Sequence, residues 1–457
     1  SSENTDEVIC AKLDFHSTVC ELFMDAYMDM TSDWCEKNKL IYTGHLLCEE
    51  LLGGMVIFNG DPYEYYKRFT WPGIDTICSY YFIDNYDFNI TGKLASSAAR
   101  FLGKERVLSE TYTMSGWEIR PCHMKKIFNR LAVLGISAVQ YMGACYDFML
   151  SRNHHAMTNN WQNPFFKHYN EMSRYMSGIQ WLVANTEYRA RALLFYPLTT
   201  GRIMINSRDF SVLDTADATM HGLVNSLLNL HIPFEIGFEQ VIDMAEVNDG
   251  KLKISGSEYD LIILPAAKYI KESTFKVIDA FARSGGHVIM VNGKVEKVIG
   301  ETIYDAPEIP NSIAYENYEF ERLSKLPGGI EKQAPAGSFT RGLKDAIGDI
   351  PGFIVNIEQR ERIISAIRQN GDCYYVIIVN DSDCKNIACG EIVVDLPFRA
   401  INTDTGELHP MTTDGKRFEI KLAPYECVVL ELSPDINERS PEQEYTEWKE
   451  IRFELPA

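Results

Sequence analysis

The chain has 457 residues, of which 46% are hydrophobic and 24% are charged, as is ordinary for a soluble globular protein. Its 64 acidic residues outnumber its 44 basic ones, and the formal charge of -20 excludes nucleic acid and membrane as partners, because both bind clustered basic residues. A neutral sugar or polysaccharide remains compatible with this charge.

The cysteines indicate the redox environment. There are eleven of them, an odd number, and they are scattered without Cys-x-x-Cys pairs. This pattern predicts reduced thiols in a cytoplasmic protein rather than a disulfide framework. The sequence also contains no apolar run of the roughly 18 residues that a membrane-spanning helix needs.

The first region, residues 1–188, is predicted to be the C-terminal half of a (β/α)8 barrel. It opens with apolar residues at spacings of three and four, which predict a helix with one face toward the core. This stripe consists of Val19, Leu22, Phe23, Ala26, Tyr27, Met30 and Trp34. About four β/α units follow, with strands that alternate with helices as in a parallel sheet. The strands are predicted at 40–45, 69–75, 106–112 and 136–142, and the clearest helices at 92–102, 119–134 and 164–183.

The pattern restarts after residue 188. Strands at 192–197, 234–237, 261–265 and 287–291 predict a flavodoxin-like or amidotransferase-like α/β domain over 189–300. Residues 301–355 have weak periodicity and are predicted to be an irregular connection. Short alternating runs over 356–434 predict an antiparallel β-sandwich. Residues 435–457 are predicted to be a linker or the start of a further β domain, so the fold class is α/β multidomain.

Glu110 is the leading catalytic candidate. It follows an apolar strand, and a (β/α)8 barrel presents its catalytic residues at the carboxyl ends of the strands. Glycosidases use paired carboxylic acids. Tyr112, Trp117 and Glu118 follow closely, and aromatic side chains beside acids suit the apolar face of a sugar ring. The alternative is a solvated acid in a surface turn.

His45, Glu49 and Glu50 form a second group of candidates. His45 ends a predicted strand, and the two acids lie at the start of the next helix, so all three are expected at the barrel mouth. Glu50 is assigned a catalytic role, and His45 and Glu49 are assigned to substrate binding. The alternative is a histidine hydrogen-bonded in the core and two solvated acids. The spacing does not match His-Glu-x-x-His, and no metal site is predicted.

The remaining candidates also follow predicted strands. Asp75 ends the second strand and is the third catalytic candidate, against the alternative of an ordinary turn aspartate. Further substrate-binding candidates are Trp71, Tyr141, His155 and Trp161. His154 and His155 lie in the loop after the fourth strand, where paired histidines are more often simply solvated.

These motifs resemble a large bacterial glycoside hydrolase. The resemblance covers roughly residues 10 to 200 and is carried by 33–35 (Asp-Trp-Cys), 42–50, 72–75, 103–110 and 116–117. The pattern is similar to α-L-rhamnosidase-type enzymes, glycoside hydrolase family 106, and their uncharacterised relatives. The α/β region is similar to the amidotransferase-like domain that follows the barrel in family 42 β-galactosidases, and a β-sandwich then fits the domain order.

The resemblance implies an inverting acid/base cleavage of an α-L-rhamnoside or a similar sugar, with calcium as an optional ion at the sugar site. It places His45 and Glu50 on the fifth barrel strand, Asp75 on the sixth and Glu110 on the seventh. Family members carry another acid on the fourth strand, in a Phe-Thr-Asp-Glu-Pro-like motif that this chain lacks. A complete site is therefore expected to need an acid from a further segment or from a partner.

Two other functions compete with glycoside hydrolysis. One is a non-catalytic carbohydrate-binding or assembly protein on the same scaffold. The other is a flavodoxin-like regulatory protein, which is disfavoured because the sequence has no phosphate-binding loop. The α/β region also offers a contact surface for a homo-oligomer. No organic cofactor is predicted.

Overall fold

The structure is a computed structural model that describes residues 5–77, 88–113, 115–117, 119–143, 159–206, 211–315, 321–325, 331–334, 354–360 and 362–436. These residues form a mixed α/β chain with both parallel and antiparallel sheets. None of the helices described in these ranges is long and apolar enough to cross a membrane.

The chain begins with one long helical segment. It comprises α1 (Asp6–Phe23), a π-helical stretch (Met24–Asp29) and α2 (Met30–Lys37). The prediction that its apolar stripe faces the core is wrong, because all seven predicted residues are exposed, Leu22 to 63% and Trp34 to 59%. Ile9, Met24 and Met28 point inward instead. The segment is apolar on two faces, and the described residues cover one of them.

A four-stranded parallel sheet follows, in the order β1-β2-β3-β4. Its strands are β1 (Thr43–Gly44), β2 (Trp71–Ile77), β3 (Leu108–Thr113) and β4 (Ala138–Tyr141). The helices between and after them are α3 (Leu52–Gly54), which continues as a π-helical turn (Met55–Asn59), α4 (Pro62–Arg68), α5 (Phe88–Phe101), α6 (Pro121–Val133), a 3-10 turn (Phe166–His168) and α7 (Tyr169–Ala184).

Glycine lets the first two strands approach each other. A Cβ atom on Gly73 would lie 2.4 Å from the Gly44 carbonyl oxygen, so a larger residue would push β1 and β2 apart. Asp61 fixes the start of α4, because its carboxylate accepts the Tyr63 N–H and Pro62 takes the first helical position.

A second parallel sheet has five strands in the order β7-β6-β11-β13-β16, which is the flavodoxin order 2-1-3-4-5. Its last strand lies beyond residue 300, the predicted end of this region. The elements of this part of the chain are β5 (Glu187–Tyr188), β6 (Ala192–Phe195), α8 (Leu198–Met204), a 3-10 turn (Ser211–Leu213), α9 (Asp214–Asn229), β7 (Phe234–Gly237), α10 (Glu239–Ile242), β8 (Glu246–Asn248), β9 (Lys251–Ile254), β10 (Ser257–Tyr259), β11 (Leu261–Pro265), β12 (Tyr269–Lys271), α11 (Glu272–Arg283), β13 (His287–Val291), β14 (Lys297–Ile299), β15 (Ile303–Asp305) and β16 (Ser312–Tyr315).

The last described part consists of antiparallel strands, in the region predicted to be a β-sandwich. One sheet has the order β19-β22-β25-β24 and the other β23-β26-β21-β20-β5, so β5 joins a sheet whose other strands come more than 170 residues later. Both sheets contribute to one buried apolar cluster, with Ile378 from the second and Ile420 from the first. The strands are β17 (Glu321–Lys325) and β18 (Glu331–Ala334), which pair antiparallel with each other, then β19 (Val355–Ile357), β20 (Ile363–Asn370), β21 (Cys373–Asn380), β22 (Asn386–Ile392), β23 (Phe398–Asn402), β24 (Met411–Asp414), β25 (Arg417–Leu422) and β26 (Cys427–Leu432).

Candidate active site

The sheet register brings two of the predicted catalytic acids side by side. Asp75 of β2 is directly opposite Glu110 of β3, and Glu110 is directly opposite Gln140 of β4. Residues that pair in neighbouring parallel strands point to the same face of the sheet. Along β3, Ser109 is buried while Leu108 and Glu110 are partly exposed, so the acids lie on the open face.

Glu110 has contacts on both sides of its carboxylate. His45, directly after β1, places its Nε2 atom 3.5 Å from Glu110 Oε2. On the other side, the Thr113 hydroxyl donates to Glu110 Oε1 at 3.4 Å. The Glu110 side chain is 34% exposed and that of His45 is 37% exposed, so a ligand can reach both from the solvent.

A β-bulge explains why Thr113 contacts Glu110. Thr76 pairs with Thr111, but the next residue of β2, Ile77, pairs with Thr113, so Tyr112 is skipped. Tyr112 has φ +67°, a left-handed conformation that is strained for a bulky residue. Such bulges occur beside active sites, where they redirect side chains. Sequence alone does not reveal the role of Thr113, because simple strand alternation would turn it away from Glu110.

Tyr112 itself belongs to the core. Its side chain is fully buried, its hydroxyl donates to the Met124 carbonyl at 3.0 Å, and its ring lies 5.3 Å from that of Tyr141. A sugar could not contact Tyr112 in this position. Burial therefore argues against the predicted substrate-binding role, and Tyr112 instead supports the end of β3 from behind.

Glu49 is also buried, being only 4% exposed. Its two carboxylate oxygens accept the Leu46 and Asp75 backbone N–H groups, at 3.3 and 3.1 Å. Burial raises the pKa of Glu49 well above its ordinary value, although the two backbone hydrogen bonds oppose the shift. The side chain thus ties the segment after β1 to β2, and this position suits a positioning residue better than the predicted contact with substrate.

Glu50 lies toward the α/β region. The ring of His221, on α9, donates through Nε2 to the Glu50 carbonyl at 2.8 Å. The Glu50 carboxylate contributes to raising the pKa of Asp217, which is also on α9. These contacts associate Glu50 with α9, and none of its described contacts joins it to Glu110.

The predicted aromatic residues occupy different places. The Tyr141 ring is partly buried and stacks on that of Tyr169, with centroids 5.4 Å apart and an interplanar angle of 19°. Trp117 is partly exposed in the turn after β3, and Trp161 is 73% exposed. Tyr141, Trp117 and Trp161 keep their substrate-binding roles as predictions.

Trp71 lies at the opposite end of the sheet from the acids. It is the first residue of β2, its carbonyl accepts the Thr43 hydroxyl at 2.7 Å, and its ring is 5.8 Å from the Arg106 guanidinium. Four residues of strand separate Trp71 from Asp75, which corresponds to about 13 Å. A single sugar ring on Glu110 would not reach Trp71, so this position argues against the prediction. The predicted Glu118 and His155, with His154, lie outside the described residues.

Calcium, the ion that the resemblance implies, stays a prediction. Calcium takes about six to eight oxygen ligands. Across the described ranges, no group of three or more His, Cys, Asp or Glu side chains is placed to hold a metal ion.

Comparison with curated proteins gives one distant relative. No family model matches the chain. The "Putative beta-glucuronidase" of Formosa agariphila is 23% identical over 286 residues, which represent 60% of this chain and 22% of that protein. The chain thus spans about a fifth of the length of this relative.

Comparison with solved structures gives glycoside hydrolases. The rhamnosidase from Novosphingobium sp. PP1Y matches 92% of this chain and 39% of its own, with a TM-score of 0.62 and 14% identity. The GH42 β-galactosidase Gan42B from G. stearothermophilus matches 92% of this chain and 68% of its own, with a TM-score of 0.64 and 15% identity. At such low identity the likeness shows the fold alone.

Proposed function

We propose that the chain is part of a glycoside hydrolase that cleaves a glycosidic bond with paired carboxylic acids. The observation that carries this proposal is that Asp75 and Glu110 are paired in neighbouring parallel strands and that His45, directly after β1, lies against Glu110. The fold likeness to glycoside hydrolases supports it. We further propose an α-L-rhamnoside or a related sugar as substrate, on the basis of the motif resemblance.

The four parallel strands are proposed to be the C-terminal half of a (β/α)8 barrel. β1 and β4 each pair on one side, so within the described residues each leaves one edge without a neighbouring strand. The exposed apolar stripe of the first helical segment, from Val19 to Trp34, precedes this sheet in the chain. Further β/α units would cover it. Both features support a site that is completed by residues outside those described.

Glu110 is proposed to be one of the two acids of the reaction. Its carboxylate is reachable from solvent and is held by His45 and Thr113. Two carboxylates about 5 Å apart favour a covalent intermediate and retention, whereas roughly 6.5 to 9.5 Å leaves room for a water molecule and favours inversion. The second acid of the pair is proposed to be either Asp75 or an acid from a part of the protein outside the described residues.

A panel of aryl glycosides tests the proposal, with an α-L-rhamnoside first and a β-D-glucuronide and a β-D-galactoside beside it. The chain would be assayed alone and as the longest protein that contains it. Glu110→Gln should reduce turnover by about 10²- to 10⁴-fold, since it removes one acid of the pair. The matched control is Glu407→Gln, an exposed acid between β23 and β24, which should retain full turnover. Unchanged turnover in Glu110→Gln would contradict the assignment.

A non-catalytic carbohydrate-binding protein is the second candidate. The open sheet edges favour it, because a chain with an incomplete acid pair would bind a sugar without cleaving it. Binding of a glycoside without hydrolysis, even by the longest protein, would support this function over catalysis.

A further inference from the structure

A cavity of about 640 Å³ lies at the amino-terminal end of the four-stranded sheet. It is bordered by the amino-terminal ends of β3 and β4, the end of α5, β5 and residues of β20. The first sheet, the α/β region and the antiparallel sheets all contribute to its wall. Its volume is in the range of small-molecule sites.

The charge of the wall is opposite to that of the whole chain. Six basic residues and three acidic ones line the cavity, whereas the chain has 44 basic and 64 acidic residues. A basic concave surface raises the local concentration of anions. The cavity is therefore expected to attract a negatively charged molecule.

Lys93 is the central basic residue. It is 2% exposed, and its Nζ atom lies over the Tyr188 ring at 4.1 Å and the Phe234 ring at 5.1 Å from the centroids. Its ammonium makes no hydrogen bond or ion pair with any residue in the described ranges. A buried charge without such a partner is costly to the folded protein.

The neighbouring charges leave Lys93 without a dedicated acid. Arg368 is 5% exposed, and its guanidinium donates to neutral acceptors, the Val183 carbonyl and the carbonyl and hydroxyl of Thr186. Glu235 forms an ion pair with Arg100, with Nε and Oε1 3.0 Å apart, and accepts the Tyr259 hydroxyl. Glu235 is thus the buried carboxylate among these three cations, and the exposed Glu187 lies 4.0 Å from Arg100 rather than beside Lys93.

We propose that this cavity binds a small organic anion, through a carboxylate, sulfate or phosphate group that pairs with Lys93. The pKa of Lys93 is lowered to about 7, chiefly by burial; Glu235 opposes the shift, and Arg368 and Arg100 add to it. A bound oxyanion would favour the ammonium form, so binding would take up a proton near neutral pH. Burial also raises the pKa of Glu235. A bound anion would raise it further, so any change in the protonation of Glu235 would likewise be an uptake of a proton. Burial raises the pKa of Tyr188 and lowers that of Arg368 only to about 10, so near neutral pH Tyr188 stays neutral and Arg368 stays charged.

Isothermal titration calorimetry of the full chain at pH 6.5 tests the proposal. The probes are D-glucuronate, glucose 6-phosphate, inorganic sulfate and inorganic phosphate, with uncharged D-glucose as the matched neutral probe. At least one anion should bind and D-glucose should not. Preference for glucuronate or the sugar phosphate over the inorganic ions would identify an organic ligand. Failure of all four anions to bind would overturn the proposal.

Lys93→Met should weaken binding at least about 30-fold, because it removes one partner of a buried charge pair. Lys276→Met is the matched control, because Lys276 is an exposed residue of α11 that pairs with Glu272. This variant should bind the anion with unchanged affinity. Should Lys93→Met not fold, the unaltered chain still decides, because its affinity for the anion should fall about fivefold from pH 7 to pH 8 as the Lys93 ammonium loses its proton. Affinity that is independent of pH, or unchanged in Lys93→Met, would overturn the proposal.

Discussion

The two parallel sheets of this chain differ in how completely they are covered. In the five-stranded sheet, every residue of β6, β7 and β11 is buried. In the four-stranded sheet, all four residues of β4 are partly or fully exposed, and β3 alternates between buried and partly exposed positions near Glu110. Parallel sheets are normally covered on both faces. The open face is therefore where the proposed function places a sugar or further protein.

The first prediction tests the covered sheet against the open one. Ile263→Ala, in the middle of β11, should lower the stability by about 2–5 kcal/mol, because it leaves a cavity among fully buried residues. Gln140→Ala, on the exposed side of β4, should change it by less than about 0.5 kcal/mol. Urea unfolding followed by circular dichroism measures both. Equal losses would mean that the open face is covered in solution.

The second prediction concerns Asp217, which joins the two regions. It lies on α9 beside the five-stranded sheet, and its carboxylate accepts the Leu52 N–H of the first region at 2.6 Å. Burial raises its pKa to about 6 from an ordinary value of 3.8. The folded protein therefore holds this proton more tightly, so the stabilising contribution is complete below pH 4 and is lost as the pH rises through 6.

The side chain that Asp217→Asn introduces cannot ionise, so the loss of stability with rising pH should disappear in this variant. We expect the variant to match the unaltered protein near pH 4 and to exceed its stability by roughly 1–3 kcal/mol above pH 6. Thermal unfolding at pH 4.5 and pH 7.5 measures the difference in Tm, with Asp414→Asn, an exposed residue of β24, as control. The same difference at both pH values would refute the assignment.

The third prediction, with the smallest effect, concerns the bulge behind Glu110. Tyr112→Phe removes the hydroxyl that donates to the Met124 carbonyl and should cost about 1 kcal/mol. Tyr374→Phe, a partly buried position of β21, is the control and should cost less. The urea concentrations at the unfolding midpoints of the two variants measure this difference in stability. A Tyr112→Phe protein as stable as the unaltered one would show that packing alone holds the bulge.

Local patterns predicted much of the secondary structure. The strand predicted at 261–265 coincides with β11, and the helix predicted at 119–134 contains α6. Glu110 and Asp75 were found because a strand end followed by an acid is a local signal. Periodicity and strand ends are properties of neighbouring residues, so the sequence carries them directly.

Other features depend on distant contacts and could not be predicted. The stripe around Leu22 and Trp34 is apolar, but its pattern does not say what covers it, and in the structure it is exposed. The role of Glu49 requires the backbone of Asp75, 26 residues away. Strand β16 has two exposed residues out of four, so the periodicity of a buried strand is missing there.

The pairing of β5 with β20 constrains the order in which the chain folds. Tyr188 pairs with Arg368, and the whole α/β region lies in the chain between these two residues. During synthesis β5 emerges first and has to wait for β20, while the intervening region has all of its own strands and folds as a unit. Contacts of such long sequence separation form slowly. The wall of the Lys93 cavity, which uses both Tyr188 and Arg368, is therefore among the last parts of the molecule to be completed.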